Sequence, residues 1–267
     1  MRRSLDEVRC WTAPFTTLLL ASALPLAQPA SAQQAPTFFF MTNFEALHTS
    51  ENGGSAVPAR GANANIRPIA GLTGKVLGDA TLTVLGGASA TRYSETPRSD
   101  ADSLFAMANL SRTVGDYKFG ASFLFANSQD PTFAVGVAKT YDTTLSISRA
   151  FTPEAFGGWS ITPQLKASRR NSDALIVERW AVGASIEASR PAFGGRFTIS
   201  GGYDWLDYVA DGRHDDAFIM SSSWLYDLDA TVQYGLKADA VFAKSNVTGK
   251  SVDSFSIGPT LRVLFAK

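Results

Sequence analysis

A two-residue alternation of apolar and polar side chains runs through most of the chain beyond residue 36. In residues 230–244, for example, Tyr234 and Leu236 fall on one face, while Lys237 and Asp239 fall on the other. Successive side chains of a β-strand point to opposite faces, so the pattern predicts strands with an apolar environment on one side and water on the other.

Clusters of Gly, Ser, Asp and Asn, which are typical turn residues, separate the alternating runs. Counting the runs predicts an even number of strands, with residues 133–151 taken as one long strand. Short connections such as 77–79 and 114–116 alternate with longer, more polar ones such as 49–62 and 208–215. The predicted strands cover residues 37–48, 63–76, 80–93, 102–113, 117–127, 133–151, 159–169, 175–189, 196–207, 216–227, 230–244 and 251–266.

Short turns at one rim and longer loops at the other are typical of a bacterial outer-membrane barrel, whose termini and short turns face the periplasm. An even number of strands returns the C-terminus to the periplasmic side. We therefore predict an all-β fold, a transmembrane antiparallel up-and-down β-barrel of about 12 strands.

Aromatic side chains bound the predicted apolar face at both ends. Tyr117 and Trp224 lie toward the short-turn rim, whereas Trp205 and Phe218 lie toward the loop rim. A bilayer selects such aromatic belts at its two interfaces. The core of a secreted sandwich, the alternative explanation for two-faced strands, has no reason to order aromatic residues by height. The pattern favours lipid as the apolar partner.

The mature chain therefore resembles Gram-negative outer-membrane β-barrel proteins of the porin-like kind over essentially its whole length. Residues 255–265 match the alternating aromatic terminal strand of that class, although Ala266 and Lys267 follow Phe265. The resemblance implies location in the cell outer membrane, contact with outer-membrane lipid and insertion by the barrel assembly machinery.

The first residues are organised as a cleavable secretory signal. Basic residues precede the apolar run 15–26, and small residues follow it up to Ala32. We expect residues 1–32 to be removed and residues 33–267 to form a single barrel domain. The only cysteine, Cys10, lies in this leader, so disulfide bonds cannot hold the mature chain together.

Composition excludes several classes of function. The chain has 24 basic and 24 acidic residues, and this balance offers no electrostatic basis for binding nucleic acid. No phosphate-binding loop, paired CxxC motif or HExxH motif occurs, so we expect no cofactor. No apolar patch marks a subunit interface, because the whole predicted exterior is apolar.

The opposite, inward register combines small residues with charges, and basic residues outnumber acidic ones. Fixed positive charge in a narrow wall favours anions, so we predict a narrow passive channel for small polar or anionic solutes. The equally weighted alternative is that the charges form structural ion pairs and leave no field. The pore-lining candidates are Glu45, Arg67, Lys75, Lys118, Lys166, Arg179, Glu187, Arg196, Asp204, Lys237, Asp239 and Arg262.

Two further functions are considered. A non-conducting structural or interaction barrel could serve surface assembly or export through its loops. A lipid-modifying hydrolase would need a catalytic group at the loop rim, where His48, Ser251 and Asp253 are predicted to be neighbours. No lipase signature surrounds these residues, so we expect ordinary polar rim residues and no enzyme.

The loop 211–216 is a candidate for divalent cations through His214 and the carboxylates of Asp211, Asp215 and Asp216. Its spacing matches no recognised calcium loop. A solvated polar loop is the preferred interpretation, and no metal site is predicted.

Overall fold

The computed structural model describes residues 36–53, 60–76, 78–95, 100–129, 136–153, 157–210 and 212–266, so the predicted signal segment lies outside the described residues. Nearly all of the described chain is strand, and a single 3-10 turn, Leu175–Val177, precedes the eighth strand. The strands are β1 (Thr37–Gly53), β2 (Arg60–Val76), β3 (Ala80–Tyr93), β4 (Ala101–Val114), β5 (Tyr117–Gln129), β6 (Gly136–Arg149), β7 (Ser160–Ser172), β8 (Arg179–Ala192), β9 (Gly195–Tyr208), β10 (His214–Asp227), β11 (Val232–Ser245) and β12 (Val252–Ala266).

Each strand pairs with its neighbours in the sequence, and β12 pairs with β1 to close a barrel. The closing pair is antiparallel, with Phe44 opposite Leu261 and Glu45 opposite Thr260. Closure leaves no unpaired strand edge among the described strands, which is the requirement for a sheet that crosses a bilayer.

The predicted strand number and up-and-down order are confirmed. Residues 133–151 contain one strand, β6, as predicted. Several boundaries differ from the prediction, and the two largest differences lie at the loop rim. Strand β1 ends at Gly53 and strand β2 begins at Arg60, so both extend further into the predicted loop than expected. Polar side chains do not prevent strand pairing above the bilayer. The predicted strand 175–189 starts later, at Arg179, because the 3-10 turn occupies the preceding residues.

The turn between β10 and β11 is stabilised by one carboxylate. Asp229 accepts hydrogen bonds from the Thr231 hydroxyl at 2.7 Å and from the backbone N–H groups of Thr231 and Val232 at 2.6 and 2.8 Å. These bonds favour the charged form and lower the pKa of Asp229, the Thr231 side chain having the largest effect. The turn is thereby held in the geometry that starts β11.

The barrel exterior is apolar and exposed. Leu145, Leu165 and Leu236 each expose 58–60% of their surface, and they belong to a large set of exposed apolar side chains on the outward faces of the strands. The predicted aromatic belts lie at the two ends of the strands, with the tilted rings of Tyr226 and Tyr234 in contact near the turn rim, their centroids 5.3 Å apart. In the described chain, no helix has the length and apolarity to span a membrane. Because the outward side chains are apolar and aromatic residues bound them at both ends, the exterior of the barrel faces lipid.

Candidate channel lumen

All twelve predicted pore-lining residues lie in the inward register of the barrel. Residues that are paired on adjacent strands point to the same face of the sheet, so the pairing identifies the inward residues of each strand. Asn43, for example, is paired with Arg67 on β2 and with Arg262 on β12. Side chains in this register are buried or partly buried at mid-height, whereas Lys75, Lys118 and Arg196 are exposed near the turn rim.

A buried ion-pair group occupies the middle of the lumen. The Lys237 Nζ lies 3.0 Å from a carboxylate oxygen of Asp239 and 3.4 Å from one of Glu45. The side chains of all three residues are at most 9% exposed. Ser221 donates a hydrogen bond of 2.8 Å to Asp239. Because these charges are buried and paired with one another, removing one of them would leave the others without full compensation.

A second ion pair crosses one strand. The Lys166 Nζ on β7 lies 2.9 Å from Asp204 on β9. Between them on β8 lies Gly183, which is in register with both residues. A Cβ atom at Gly183 would collide with the Asp204 carboxylate, so glycine at this position provides the space for the pair. Lys166 and Asp204 thus follow the ion-pair alternative.

Arg67 and Arg262 differ from Lys166 and Lys237 in their partners. Arg262 donates hydrogen bonds to two neutral oxygens, Oδ1 of Asn43 at 3.2 Å and Oε1 of Gln233 at 3.3 Å. Within the described residues, neither arginine forms a salt bridge, although Glu45 is close enough to interact electrostatically with both. The central group therefore has three cations for two carboxylates.

The other candidates lie nearer the rims. Lys75 donates to the backbone carbonyl of Asp79 at 3.4 Å, and Glu187 interacts electrostatically with Arg196. Near the loop rim, Arg179 donates a hydrogen bond of 2.9 Å to the Tyr208 hydroxyl. These residues flank the two entrances of the lumen.

A loop-side polar cluster was missed by the sequence prediction. Arg170 binds Asp142 through two hydrogen bonds of 2.7 Å, and Arg213 forms an ion pair with Asp215. The Tyr208 ring lies 4.4 Å from the Arg213 guanidinium and is also covered by Arg179. Paired and stacked arginines therefore occupy the loop-side end of the β6–β10 wall.

An apolar inner wall was also missed. Five inward residues on adjacent strands form the buried apolar cluster of the barrel, and three partly buried ones pack against them. The Phe39 ring packs against Gly71 and the Phe105 ring packs against Gly87, each so closely that a Cβ atom on the glycine would collide with the ring. The rings therefore lie along the wall. The buried members are Phe39, Ile69, Leu85, Met107 and Leu124, and the partly buried ones are Met41, Phe105 and Leu264.

The wall formed by β6–β10 is the polar counterpart. Many of its inward positions carry serine, threonine or glycine, and the others include the charged residues already described. Small inward residues also lie on the opposite wall, on both sides of the apolar cluster, where they include Ser89, Ser103 and Ser122. Those on the β6–β10 wall include Ser146, Ser168, Gly183, Ser185, Ser200, Gly202, Ser221 and Ser223.

The proposed hydrolase residues are not assembled. Asp253 is in register with Asn52, whereas His48 is in register with Ile257, four residues further along β12. At roughly 3.3 Å per residue this places their backbones about 13 Å apart along the strand. Ser251 accepts a hydrogen bond from the backbone N–H of Ser245.

The candidate cation loop has other contacts. Asp215 pairs with Arg213, and Asp216 accepts a hydrogen bond from the Tyr203 hydroxyl. Asp211 lies outside the described residues. Across the described part of the chain, no three His, Cys, Asp or Glu side chains are grouped as metal ligands would be.

Solved outer-membrane barrels have a similar fold. An outer membrane channel from Pseudomonas putida F1 has a TM-score of 0.54 at 13% identity, covering 90% of this chain and 99% of that one. The KdgM porin (TM-score 0.48, 8% identity, 83% and 98% covered) and LpxR from Salmonella typhimurium (TM-score 0.48, 8% identity, 86% and 100% covered) are looser matches. The sequence matches no protein-family model and no curated protein.

A closed antiparallel barrel with an apolar exterior, two aromatic belts and a charged interior defines an outer-membrane β-barrel protein. Within that class, its twelve strands and its interior give it a porin-like architecture, and its location is the outer membrane.

Proposed function

We propose that the chain is a narrow passive channel for small polar solutes, with a preference for anions. The observation that carries the proposal is the division of the lumen. Serine, threonine and glycine occupy many inward positions of β6–β10, while two rows of apolar side chains cross the opposite wall between polar rows. A water path therefore follows the polar side and is narrower than the barrel itself.

The anion preference comes from the central charged group. The group contains two carboxylates, Glu45 and Asp239, and three cations. The cations are Lys237, Arg67 and Arg262, so the group carries one net positive charge. A fixed charge in a narrow, low-dielectric wall acts strongly on a passing ion, because water screens it poorly. The excess is one charge, so we expect a moderate preference.

The test is current across a planar bilayer containing the purified protein. We expect small, discrete conductance steps and, under a potassium chloride gradient, a reversal potential displaced toward the chloride equilibrium potential. Arg67→Gln combined with Arg262→Gln should move the reversal potential toward that of potassium without removing the steps. The matched control, Arg169→Gln, replaces an arginine that stacks over the lipid-facing Trp180 and should leave the reversal potential unchanged.

The second candidate is a non-conducting structural barrel. It is favoured by the same apolar cluster, because buried side chains inside a barrel reduce the space available for water. Absence of unit current from folded protein would overturn the channel proposal and favour this alternative.

A further inference from the structure

The apolar inner wall consists of two complete rows of the hydrogen-bonded sheet. Each row crosses six adjacent strands, from β12 through β1 to β5, without an inward polar side chain. The rows are Ala266, Phe39, Gly71, Leu85, Met107 and Leu124, and next to it Leu264, Met41, Ile69, Gly87, Phe105 and Ala126. The interior of a water-filled barrel is normally polar, so two uninterrupted apolar rows need a specific explanation.

Two arginines border these rows on the loop side. Arg262, Asn43 and Arg67 form the next inward row, each two residues from Leu264, Met41 and Ile69 respectively. At roughly 3.3 Å per residue, the guanidinium-bearing positions lie about 7 Å from the apolar rows.

The accessible part of the apolar wall lies close to the arginines. Five members of the cluster are buried, whereas Met41, Phe105 and Leu264 are only partly buried and present their remaining surface to the lumen. Met41 and Leu264 lie directly beneath Asn43 and Arg262, and Phe105 lies two strands from Ile69. Two strand spacings are roughly 10 Å, the length of a small aromatic acid.

We infer that this region is a binding subsite for amphipathic organic carboxylates, meaning a short apolar or aromatic body that carries one carboxylate. The carboxylate pairs with Arg67 and Arg262, whose fork geometry suits it. The apolar body lies against Met41, Phe105 and Leu264 and removes their surface from water. The inference rests on the proposed channel function and names the class of solute that the channel would favour.

The experiment is calorimetric binding to the full mature chain in nanodiscs of zwitterionic lipid, with 4-phenylbutyrate, butyrate and 4-phenylbutanol as probes. We expect 4-phenylbutyrate to bind at least about tenfold more tightly than either of the others, because only it uses both the arginines and the apolar wall. Empty nanodiscs provide the correction for partitioning into lipid.

Variants separate the two halves of the subsite. Arg67→Gln with Arg262→Gln should reduce 4-phenylbutyrate affinity to that of 4-phenylbutanol, and Phe105→Ser should reduce it toward that of butyrate. Phe242→Ser, a lipid-facing change, is the matched control and should alter neither. Equal affinity for all three probes, or equal loss in Phe105→Ser and Phe242→Ser, would overturn the subsite. Unit current from the same purified protein in a planar bilayer would show that the channel proposal survives such a failure.

Discussion

Lys237→Met should lower the free energy of unfolding by about 3–5 kcal/mol, the largest stability effect that we expect from a single lumen substitution. The change leaves Glu45 and Asp239 buried and close together without their shared counter-charge. Both carboxylate side chains are less than a tenth exposed, so water compensates their charge poorly. Urea titration of the protein refolded in lipid vesicles, followed by tryptophan fluorescence, measures the loss.

Two controls identify the cause of that loss. Lys118→Met removes an exposed lysine of the same inward register and should change the unfolding free energy by less than about 1 kcal/mol. Adding Glu45→Gln and Asp239→Asn to Lys237→Met should recover most of the stability, since no buried charge then lacks a partner. A loss in Lys237→Met that does not exceed the loss in Lys118→Met would contradict the buried ion-pair group.

Leu236→Arg should cost about 2–4 kcal/mol of unfolding free energy, because it places a charge on the lipid face. Leu236 is 58% exposed and adjoins Lys237 in the sequence, but it points to the opposite side of β11. Along the lipid face of this strand it lies between Tyr234 toward the turn rim and Phe242 toward the loop rim. Vesicle unfolding again measures the effect.

The matched variant is Ser200→Arg, which introduces the same side chain on the inward face of β9. A charge in the water-accessible part of the lumen meets no hydrocarbon, so we expect a cost below about 1 kcal/mol together with reduced conductance. Equal costs for Leu236→Arg and Ser200→Arg would mean that the two faces of the barrel do not differ in environment.

The barrel fold could be predicted from the sequence because apolar and polar residues alternate along each strand. Tyr234 and Leu236 alternate with Lys237 and Asp239, and a period of two leaves only one assignment of faces. Turn residues such as Gly78 and Gly115, both with positive φ, ended the strands where predicted. The largest boundary differences, near Gly53 and Leu175, lie at the loop rim, where neither lipid nor a core imposes the alternation.

The apolar inner wall was not recognised because both faces of the strands are apolar there. In Phe38-Phe39-Phe40-Met41 and Leu104-Phe105-Ala106-Met107, the inward apolar residues lie beside outward ones and do not stand out as charges do. Such unbroken apolar runs in otherwise alternating strands are the signal that identifies them. Ion pairs such as Lys166 with Asp204 join strands β7 and β9, and only the registers of both strands with β8, together with Gly183, bring them together.

The most direct test of the channel is cysteine accessibility combined with single-channel current. The only natural cysteine is Cys10, in the predicted leader, so a single substitution provides a unique thiol within residues 33–267. In Ser200→Cys, on the polar wall, an anionic methanethiosulfonate reagent should reduce the unit current in a step. In Val182→Cys, which faces lipid and is 56% exposed, the reagent should leave the current unchanged. An unmodified current in Ser200→Cys, or the same reduction in both variants, would contradict a water path along the polar wall.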